Sequence, residues 1–399
     1  MERRTLPVRP NLAQIADEQG FSFAHMYGEV YWDESSAYVF DAQDVEIQIE
    51  DASTELHGMV REAVARVVGN ERLMGQMGIP PAMWDFVRGS WLAGEGELYG
   101  RFDLVWDGKG PAKMLEYNAD TPTSLFEAAS FQWQWLEDMK AAGHLPAQAD
   151  QFNGIYEALV ARFRALLPAG TFLHFASEDG NAEDYGTVET LAYAAREAGM
   201  GAYHTTTQGI GLATTGQLAD DQDRIIGTLF KLHPWEDILT GAFAPHLEGA
   251  RCRFLEPAWK ALVSNKAILP VLWDMYEGHP NLLPSFFEED VTTRSSAYQR
   301  AVDSGAFSAG RVRKPLFSRE GSSITILDGQ HNPLASSDDR SYDHHPSIVQ
   351  AYHPMPVFDG QRPLIGAWVV GTACVGMGIR EDSHLITQNL SRFKPHAIV

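Results

Sequence analysis

The spacing of apolar residues along the chain predicts alternating helices and strands. In residues 56–69, apolar side chains recur every three to four positions, which is typical of an amphipathic helix. Residues 100–106 (GRFDLVW) and 112–118 (AKMLEYN) are predicted strands, and the Asp107-Gly108 pair between them indicates a hairpin. Further strands are predicted at 171–177, at 225–231 and on both sides of 318–323, with helices at 187–199 and 265–276. This order predicts a mixed α/β (α+β) fold.

The uncharged run at residues 363–379 resembles a membrane span in its apolar character. It is shorter than the roughly 20 residues that a helical span needs, and it is rich in glycine and β-branched residues. We therefore expect two buried strands that meet at a turn near Gly371 and Thr372, and no contact with a membrane.

The balance of charges restricts the partners of the protein. The 399-residue chain carries 31 Lys and Arg residues against 53 Asp and Glu residues, which gives a net charge of −22. Nucleic acids and anionic membranes are bound through basic side chains, so neither is an expected partner. The acidic excess permits a cationic substrate, although a role in solubility is the simpler explanation.

Cysteine content and the N-terminal segment indicate the compartment. The two cysteines, Cys252 and Cys374, are too few for a disulfide framework or a zinc cage. The N-terminal residues lack the apolar segment of a signal peptide. We therefore expect a reduced, cytoplasmic setting, in which Cys374 packs inside an apolar strand.

The predicted hairpin carries polar residues that suit metal and phosphate chemistry. Residues two apart share a face of a strand. With a loop free of bulges, one side of the sheet presents the residues Arg101, Asp103, Glu116 and Asn118. Carboxylate and amide oxygens suit Mg²⁺, which often bridges to nucleotide phosphates. The alternative is a solvated sheet face with an ordinary cross-strand ion pair.

A loop and a predicted helix start follow the hairpin directly. Ser124 and Glu127 match a capping box, and Pro122 prevents a helix from running through the loop, so a helix is predicted just after Thr123. Free N–H groups at a helix start attract anions, and the hydroxyls of Thr121 and Thr123 add donors.

Three further features have both a functional and an ordinary interpretation. The loop 318–323 (SREGSS) lies between two predicted strands and suits a flap over phosphates, or is a polar hairpin. The lysines on apolar elements either surround a triphosphate or reach to solvent. The acidic run 178–184 is a site for an amine, or a solvated loop. The histidines His331, His344 and His345 lack metal-site spacing and are expected on the surface.

Together these segments resemble one family. In chain order, GRFDLVW, KMLEYNADTPTSLFEAASFQWQWLED, EPAWKALVSNKAILPVLW, KPLFSREGSSI and VQAYHPMPVFDGQRPLIGAWVVG resemble the synthetase domain of glutathionylspermidine synthetase, from about Gly20 to Val399. The resemblance implies an ATP-grasp-like fold, with mixed and antiparallel sheets around a central nucleotide cleft. It implies one module over residues 1–399, with subdomains near 1–140, 141–260 and 261–399, and no amidase domain.

The resemblance also implies roles for individual residues. Asp103, Glu116 and Asn118 would hold Mg²⁺, and Arg101 would contact the transferring phosphate. The ATP-binding residues implied are Lys231, Lys266, Lys314, Gly321, Ser322 and Gln350. The substrate-binding residues implied are Thr121, Thr123, Arg319, Glu183 and Asp184.

The activity implied is an ATP- and Mg²⁺-dependent carboxylate–amine ligation through an acyl phosphate. The acid would be a glutathione-like peptide or another acid, and the amine a polyamine or another amine. Two alternatives remain open: a phosphotransferase on the same scaffold, and a non-catalytic protein that binds a nucleotide or a polyamine. The sequence leaves the oligomeric state open.

Overall fold

The computed structural model describes residues 1–399. Its helices form where apolar side chains recur on one face. The predicted helix at 56–69 is confirmed as part of Ala52–Val68, which buries Leu56, Val60 and Val64. Pro270 lies in the first turn of its helix, where a missing N–H costs no hydrogen bond. In chain order, α1 to α12 are Leu12–Glu18, Ala42–Val45, Ala52–Val68, Glu71–Gln76, Trp84–Leu92, Gln132–Ala141, Ile155–Leu166, Ala182–Glu197, Trp235–Thr240, Ile268–Met275, Glu288–Thr293 and Ser296–Asp303.

The strands form where the sequence predicts them, and several short ones are added. The predicted hairpin, the strand that ends at Lys231 and the pair around the 318–323 loop are all confirmed. In chain order, β1 to β21 are Glu2–Thr5, His25–Met26, Glu29–Val30, Ser36–Phe40, Tyr99–Val105, Lys113–Asn118, Phe172–Ser177, Gly201–Thr206, Gly211–Leu212, Leu218–Ala219, Thr228–Lys231, Arg253–Leu255, Ser285–Phe287, Arg311–Pro315, Thr325–Leu327, Pro333–Ser336, Ser347–Ala351, Arg362–Val370, Ala373–Asp382, Arg392–Lys394 and His396–Ile398.

Three sheets frame the site. A five-stranded antiparallel sheet has the order β20-β19-β18-β5-β6, and a second has the order β13-β17-β14-β15-β16. A four-stranded parallel sheet, β12-β11-β7-β8, packs against α8. The fold is therefore mixed α/β, as predicted. Strands from the first and third predicted subdomains share one sheet, so that subdivision of the chain stays a prediction.

The apolar run at 363–379 forms two neighbouring inner strands of the first sheet. β18 and β19 pair antiparallel, and Gly371 takes the positive φ of +63° at the turn between them. Cys374 is buried in β19, as expected. None of the helices combines the length and the apolar content that crossing a membrane requires.

Aromatic side chains join the hairpin sheet to the core. Trp368 on β18 and Tyr99 on β5 are each 1% exposed, and their rings stack with centroids 5.9 Å apart. Such a contact adds about 1 kcal/mol to the free energy of burying both rings. Trp368 also lies opposite Arg101 across the two strands, with Cζ of Arg101 5.7 Å from the centroid of its ring.

Candidate functional site

A cleft of about 370 Å³ separates the two five-stranded sheets. Its walls come from β5, β6, β14, β17, β18 and β19, and from two loops, residues 119–124 and 316–324. The start of α8 closes one end. Distant parts of the chain therefore form one concave site, which is where small-molecule sites normally lie.

The four hairpin residues predicted to share a face lie side by side in this cleft. Arg101 opposes Asn118, and Asp103 opposes Glu116. The hairpin has a bulge at Leu115, contrary to the assumed regular loop, but the bulge lies nearer the turn and leaves both pairs in register. All four residues line the cleft.

Hydrogen bonds join the four side chains into one network. Nε of Arg101 donates to Oδ1 of Asp103 at 2.7 Å, and Nη1 donates to the carbonyl oxygen of Thr123 at 2.9 Å. Nδ2 of Asn118 donates to Asp103 at 3.1 Å and to Glu116 at 3.2 Å. The guanidinium is thus held in a fixed orientation at the cleft wall.

The pKa values of the two carboxyl groups shift in opposite directions. Burial raises the pKa of Asp103, and the neighbouring Glu116 carboxylate adds to the rise, although Arg101 opposes it. Burial acts the same way on Glu116, but Lys266 and Lys314 outweigh it and lower the pKa of Glu116 to about 2. The two carboxyl groups therefore lie between Arg101 on one side and Lys266 and Lys314 on the other.

The donor types on this face of the hairpin fit Mg²⁺. Asp103 and Glu116 supply carboxylate oxygens and Asn118 an amide oxygen, the ligands that hard cations prefer. The structure contains no group of three or more His, Cys, Asp or Glu residues arranged to hold a metal. Mg²⁺ at this position would therefore need further ligands from a bound phosphate or from water.

Two of the three predicted lysines face the carboxylates. Nζ of Lys266 lies 3.1 Å from Oε2 of Glu116 and donates to the carbonyl oxygen of Ser318 at 2.8 Å. Nζ of Lys314 donates to the carbonyl oxygen of Leu115 at 3.0 Å. Burial lowers the pKa of Lys314 to about 8. These lysines form a cationic wall opposite the acidic one.

The structure positions Lys231 differently. Its ammonium group pairs with Asp120 behind the cleft wall, and Lys231 is absent from the lining residues. Asp120 also accepts the N–H of Trp235 at 2.8 Å, at the start of α9. From the sequence alone, a lysine at a strand end is a candidate to bind a ligand. Lys231 instead forms an ion pair with a carboxylate more than a hundred positions away in the chain. The geometry does not support a contact between Lys231 and ATP.

Gln350 on β17 lies in the wall of the cleft and is 1% exposed. Its Nε2 has no hydrogen-bond partner within the protein. Around it the cleft is apolar, with lining from the residues Val312, Ile324, Ile326 and Leu364. A buried amide donor without a partner costs free energy unless a ligand accepts from it. A flat heterocycle with ring acceptors suits this part of the cleft.

The loop at 316–324 covers the cleft from one side. Nη2 of Arg319 donates to Glu236 at 2.9 Å and Nη1 donates to Oγ1 of Thr121 at 3.3 Å, so this side chain bridges the opening. Gly321 has a φ of +73°, and a Cβ there would lie 2.4 Å from the carbonyl oxygen of Thr387. Ser322 does not line the cleft; its N–H closes the turn onto the carbonyl of Arg319 at 2.8 Å.

The predicted capping box after Thr123 is wrong. Ser124 has a φ of +67°, outside the extended conformation of an N-cap, and the helix begins at Leu125 with a π-helical stretch, Glu127–Phe131. The side chains of Ser124 and Glu127 turn to Tyr31 instead. Thr121 and Thr123 line the cleft beside this loop.

The acidic run is partly helical, contrary to the predicted loop. Asn181 caps α8 by accepting the N–H of Asp184 at 3.1 Å, and acidic residues in a first turn are favoured by the helix dipole. Glu178 and Asp184 line the cleft, whereas Glu183 does not. Burial, with Glu183 and Glu178, raises the pKa of Asp184 to about 7.

Sequence reasoning missed several residues of the site. Glu236 and Arg380 line the cleft, and Tyr31 contacts its loop. Glu236 lies in the first turn of α9 and accepts from Arg319. Arg380 directly follows the apolar run at 363–379, and its spacing from other polar residues gave no sign of a role.

Comparisons with known proteins show the family of the chain. The family model described as glutathionylspermidine synthase preATP-grasp matches residues 3–399. A Haemophilus influenzae protein, named as a candidate acid–amine ligase, is 37% identical over 100% of both chains. The bifunctional glutathionylspermidine synthetase/amidase of Escherichia coli is 24% identical over 95% of this chain and 62% of its own length.

One solved structure bears on the fold alone. A glutathione synthetase-like effector from Globodera pallida, in its apo form, has a TM-score of 0.56 at 12% identity, with 98% of both chains covered. The fold is therefore of the glutathione synthetase-like kind. The resemblance noted in the sequence is confirmed, and the relatives carry the names of ligase enzymes. Matched over nearly its whole length, the chain belongs to the glutathionylspermidine synthase preATP-grasp family.

Proposed function

We propose that this protein is an ATP- and Mg²⁺-dependent ligase of the ATP-grasp type, which joins a carboxylic acid to an amine through an acyl phosphate. One observation carries the proposal. A single cleft combines a guanidinium–carboxylate–amide face, two buried lysines, a buried unpartnered amide and an acidic end. Each of these features matches one reactant of such a ligation.

ATP fits the part of the cleft between the lysines and β17. Lys266 and Lys314 offer positive charge for phosphates, and the unpartnered amide of Gln350 suits the adenine ring. The loop with Arg319 and Gly321 forms a cover that excludes water from the transferring phosphate.

Arg101 is the residue best positioned to stabilise the transferring phosphate. Its guanidinium is oriented by Asp103 and by the carbonyl of Thr123, so it needs little reorganisation when charge develops on the phosphoryl group. Asp103, Glu116 and Asn118 would hold Mg²⁺, which neutralises phosphate charge when it is bound. Phosphorylation converts the unreactive carboxylate into an acyl group with a good leaving group.

The two organic substrates fit two parts of the cleft, the loop at 119–124 and the acidic end. Thr121 and Thr123 line the cleft where the acid's carboxylate would meet the phosphoryl group. Glu178 and Asp184 form the acidic end, which suits a cationic amine. A glutathione-like peptide and a polyamine are proposed as these substrates, with support from the names of the relatives.

The test is nucleotide consumption across panels of acids and amines. We expect ADP and phosphate in step with amide, with full turnover only when a thiol peptide and a di- or polyamine are both present. AMP with pyrophosphate would exclude the proposal. A stable phosphorylated acid that no amine consumes would instead indicate a phosphotransferase. Thermal shifts by ATP or polyamine without turnover would indicate a binding protein.

A matched pair of variants ties the activity to the cleft. Glu116→Gln removes one carboxylate from the acidic wall and is expected to lower kcat at least 100-fold, because charge at the phosphoryl site is unbalanced. Glu157→Gln makes the same chemical change at an exposed position on α7 and is expected to leave turnover unchanged. Equal activity of both variants would contradict the assignment.

A further inference from the structure

Three buried polar side chains beside the cleft have no role in the chemistry above. Tyr31, Ser124 and Glu127 are each no more than 2% exposed. The Tyr31 hydroxyl donates to Oε1 of Glu127 at 2.6 Å and lies 3.0 Å from Oγ of Ser124. The tyrosine therefore bridges a serine and a carboxyl group in one continuous line of hydrogen bonds.

One end of this line reaches the cleft and the other does not. Ser124 lines the cleft next to Thr123, whereas Tyr31 and Glu127 lie outside the lining. Ser124 is held at a φ of +67°, a conformation that residues other than glycine rarely adopt. Such a conformation persists only where the surroundings impose it, and it is common at functional sites.

The acidic start of α8 lies close enough to affect two members of this line. Glu183 of α8 acts electrostatically on both Tyr31 and Glu127, and its neighbour Asp184 lines the cleft. Because Ser124 and Asp184 line the same cleft, we place the amine of the proposed reaction beside Ser124. An alkylammonium ion is unreactive until it loses a proton, and the acidic surroundings that attract it also stabilise its charged form.

The charge state of Glu127 suits the acceptance of a proton. Burial raises the pKa of Glu127 to about 7, and Glu183 adds to the rise, whereas the Tyr31 hydroxyl and Arg380 of β19 oppose it. Burial, with Glu127 and Glu183, raises the pKa of Tyr31 well above its usual value. The tyrosine thus stays protonated, and can pass one proton on only as it receives another.

We propose that Ser124, Tyr31 and Glu127 form a proton relay that takes one proton from the amine substrate. The proposal rests on the ligase function proposed above. The ammonium nitrogen gives a proton to Oγ of Ser124, Ser124 gives its own to the Tyr31 hydroxyl, and Tyr31 gives its own to the Glu127 carboxylate. Glu127 acts through the other two groups, and is therefore a positioning and proton-accepting residue without contact to substrate.

The remaining steps balance. The freed nitrogen lone pair forms a bond to the carbonyl carbon of the acyl phosphate, and the bond between that carbon and the bridging oxygen breaks. The second proton on nitrogen leaves with the phosphate, which departs as hydrogen phosphate. After release of the amide, Glu127 returns its proton to solvent along the same line. No oxidant, reductant or further reactant is needed.

The test compares two nucleophiles in the Glu127→Gln variant. We expect turnover with an alkyl diamine or polyamine to fall about 100-fold, since proton transfer by a positioned group contributes roughly 10²–10⁴-fold. The acidic limb of the pH profile of kcat is expected to move to higher pH, towards the pKa of the alkylammonium ion at about 10. Hydroxylamine is already neutral at neutral pH, so its trapping of the acyl phosphate as a hydroxamate is expected to change less than threefold.

Two further variants keep the test independent of folding. Tyr31→Phe removes the bridging hydroxyl but keeps the ring and the carboxyl group, and is expected to show the same split between the nucleophiles. Glu137→Gln, at an exposed position of α6, is the matched control and is expected to behave as wild type. Hydroxamate formation itself reports that the cleft is intact in each variant.

The possible results distinguish a failure of the proposed relay from a failure of the proposed ligase function. Unchanged polyamine turnover in Tyr31→Phe, or equal losses with polyamine and hydroxylamine in Glu127→Gln, would overturn the relay. If wild-type protein forms no ADP with any acid and nucleophile, the proposed ligase function fails instead. A polyamine-specific loss together with an altered pH profile supports the relay.

Discussion

The ion pair between Lys231 and Asp120 offers a sharp test of how this lysine functions. Both side chains are at most 2% exposed, and the pair lies behind the cleft wall. Burial raises the pKa of Asp120 and lowers that of Lys231, so desolvation acts against both charges. Lys231→Met would leave a buried carboxylate without its cation. We expect that loss to lower the free energy of unfolding by about 3–5 kcal/mol.

The size of this effect in a melting experiment follows from the chain length. At roughly 2.1 cal/mol/K per residue, the 399-residue chain unfolds with an entropy of about 0.8 kcal/mol/K. A loss of about 4 kcal/mol therefore lowers the unfolding midpoint by about 5 °C. The double variant Lys231→Met/Asp120→Asn removes both charges and is expected to regain at least half of the loss, because the introduced amide oxygen can still accept the N–H of Trp235.

The assays are urea unfolding followed by tryptophan fluorescence, and the KM for ATP of each folded variant. The double variant is expected to keep a KM for ATP within threefold of wild type. Since Asp120 can become protonated, the destabilisation of the single variant is expected to grow as pH rises above about 4. A loss below 1 kcal/mol in the single variant would refute the structural role of the ion pair. A KM for ATP more than tenfold higher in the stable double variant would instead indicate that Lys231 contacts ATP.

Three other predictions follow from single features of the fold. A Cβ on Gly366 would lie 2.8 Å from Cδ of Arg101, so Gly366→Ala is expected to lower kcat at least tenfold, whereas Gly58→Ala, with open space around it, leaves kcat unchanged. Arg319→Gln is expected to raise the ratio of ADP to amide formed, because a looser cover admits water to the acyl phosphate. Burial lowers the pKa of His396 to about 3. Its unfolded value is near 6.5, so the folded state loses stability as pH falls below 6.5, by about 2 kcal/mol at pH 5, and His396→Gln is expected to flatten that part of the profile.

For each of these three predictions, one experimental result would contradict the reasoning. Equal kcat in the two glycine variants would show that Arg101 tolerates displacement. An unchanged ADP-to-amide ratio would mean that Arg319 does not seal the cleft. Parallel stability profiles of wild type and His396→Gln between pH 5 and 6.5 would show that this histidine does not titrate on unfolding there.

Local patterns in the sequence predicted much of the site. The two-residue period of a strand and one turn signal were sufficient to bring Arg101, Asp103, Glu116 and Asn118 to one face, because all four lie on a single hairpin. The predicted apolar strands β18 and β19 were recognisable for the same reason, since their pairing is also local.

Contacts between residues far apart in the chain could not be predicted from the sequence. Nothing near Lys231 indicates that Asp120 will meet it, because the two lie on different elements far apart in the chain. Ser124 and Glu127 have the spacing of a capping box, and that local interpretation failed because Tyr31 binds both side chains from another segment. Spacing patterns report on residues that are close in the chain, whereas the residues in these contacts are close only in space.

The pairing of Leu104 on β5 with Ile365 on β18 also bears on biosynthesis. The first hairpin is synthesised long before the strand that completes its sheet, so one edge and an apolar face of β5 stay uncovered until β18 has left the ribosome. Exposed strand edges invite association with other chains, and contacts between distant residues slow folding. High-level expression is therefore expected to benefit from low temperature or chaperones that shield this hairpin.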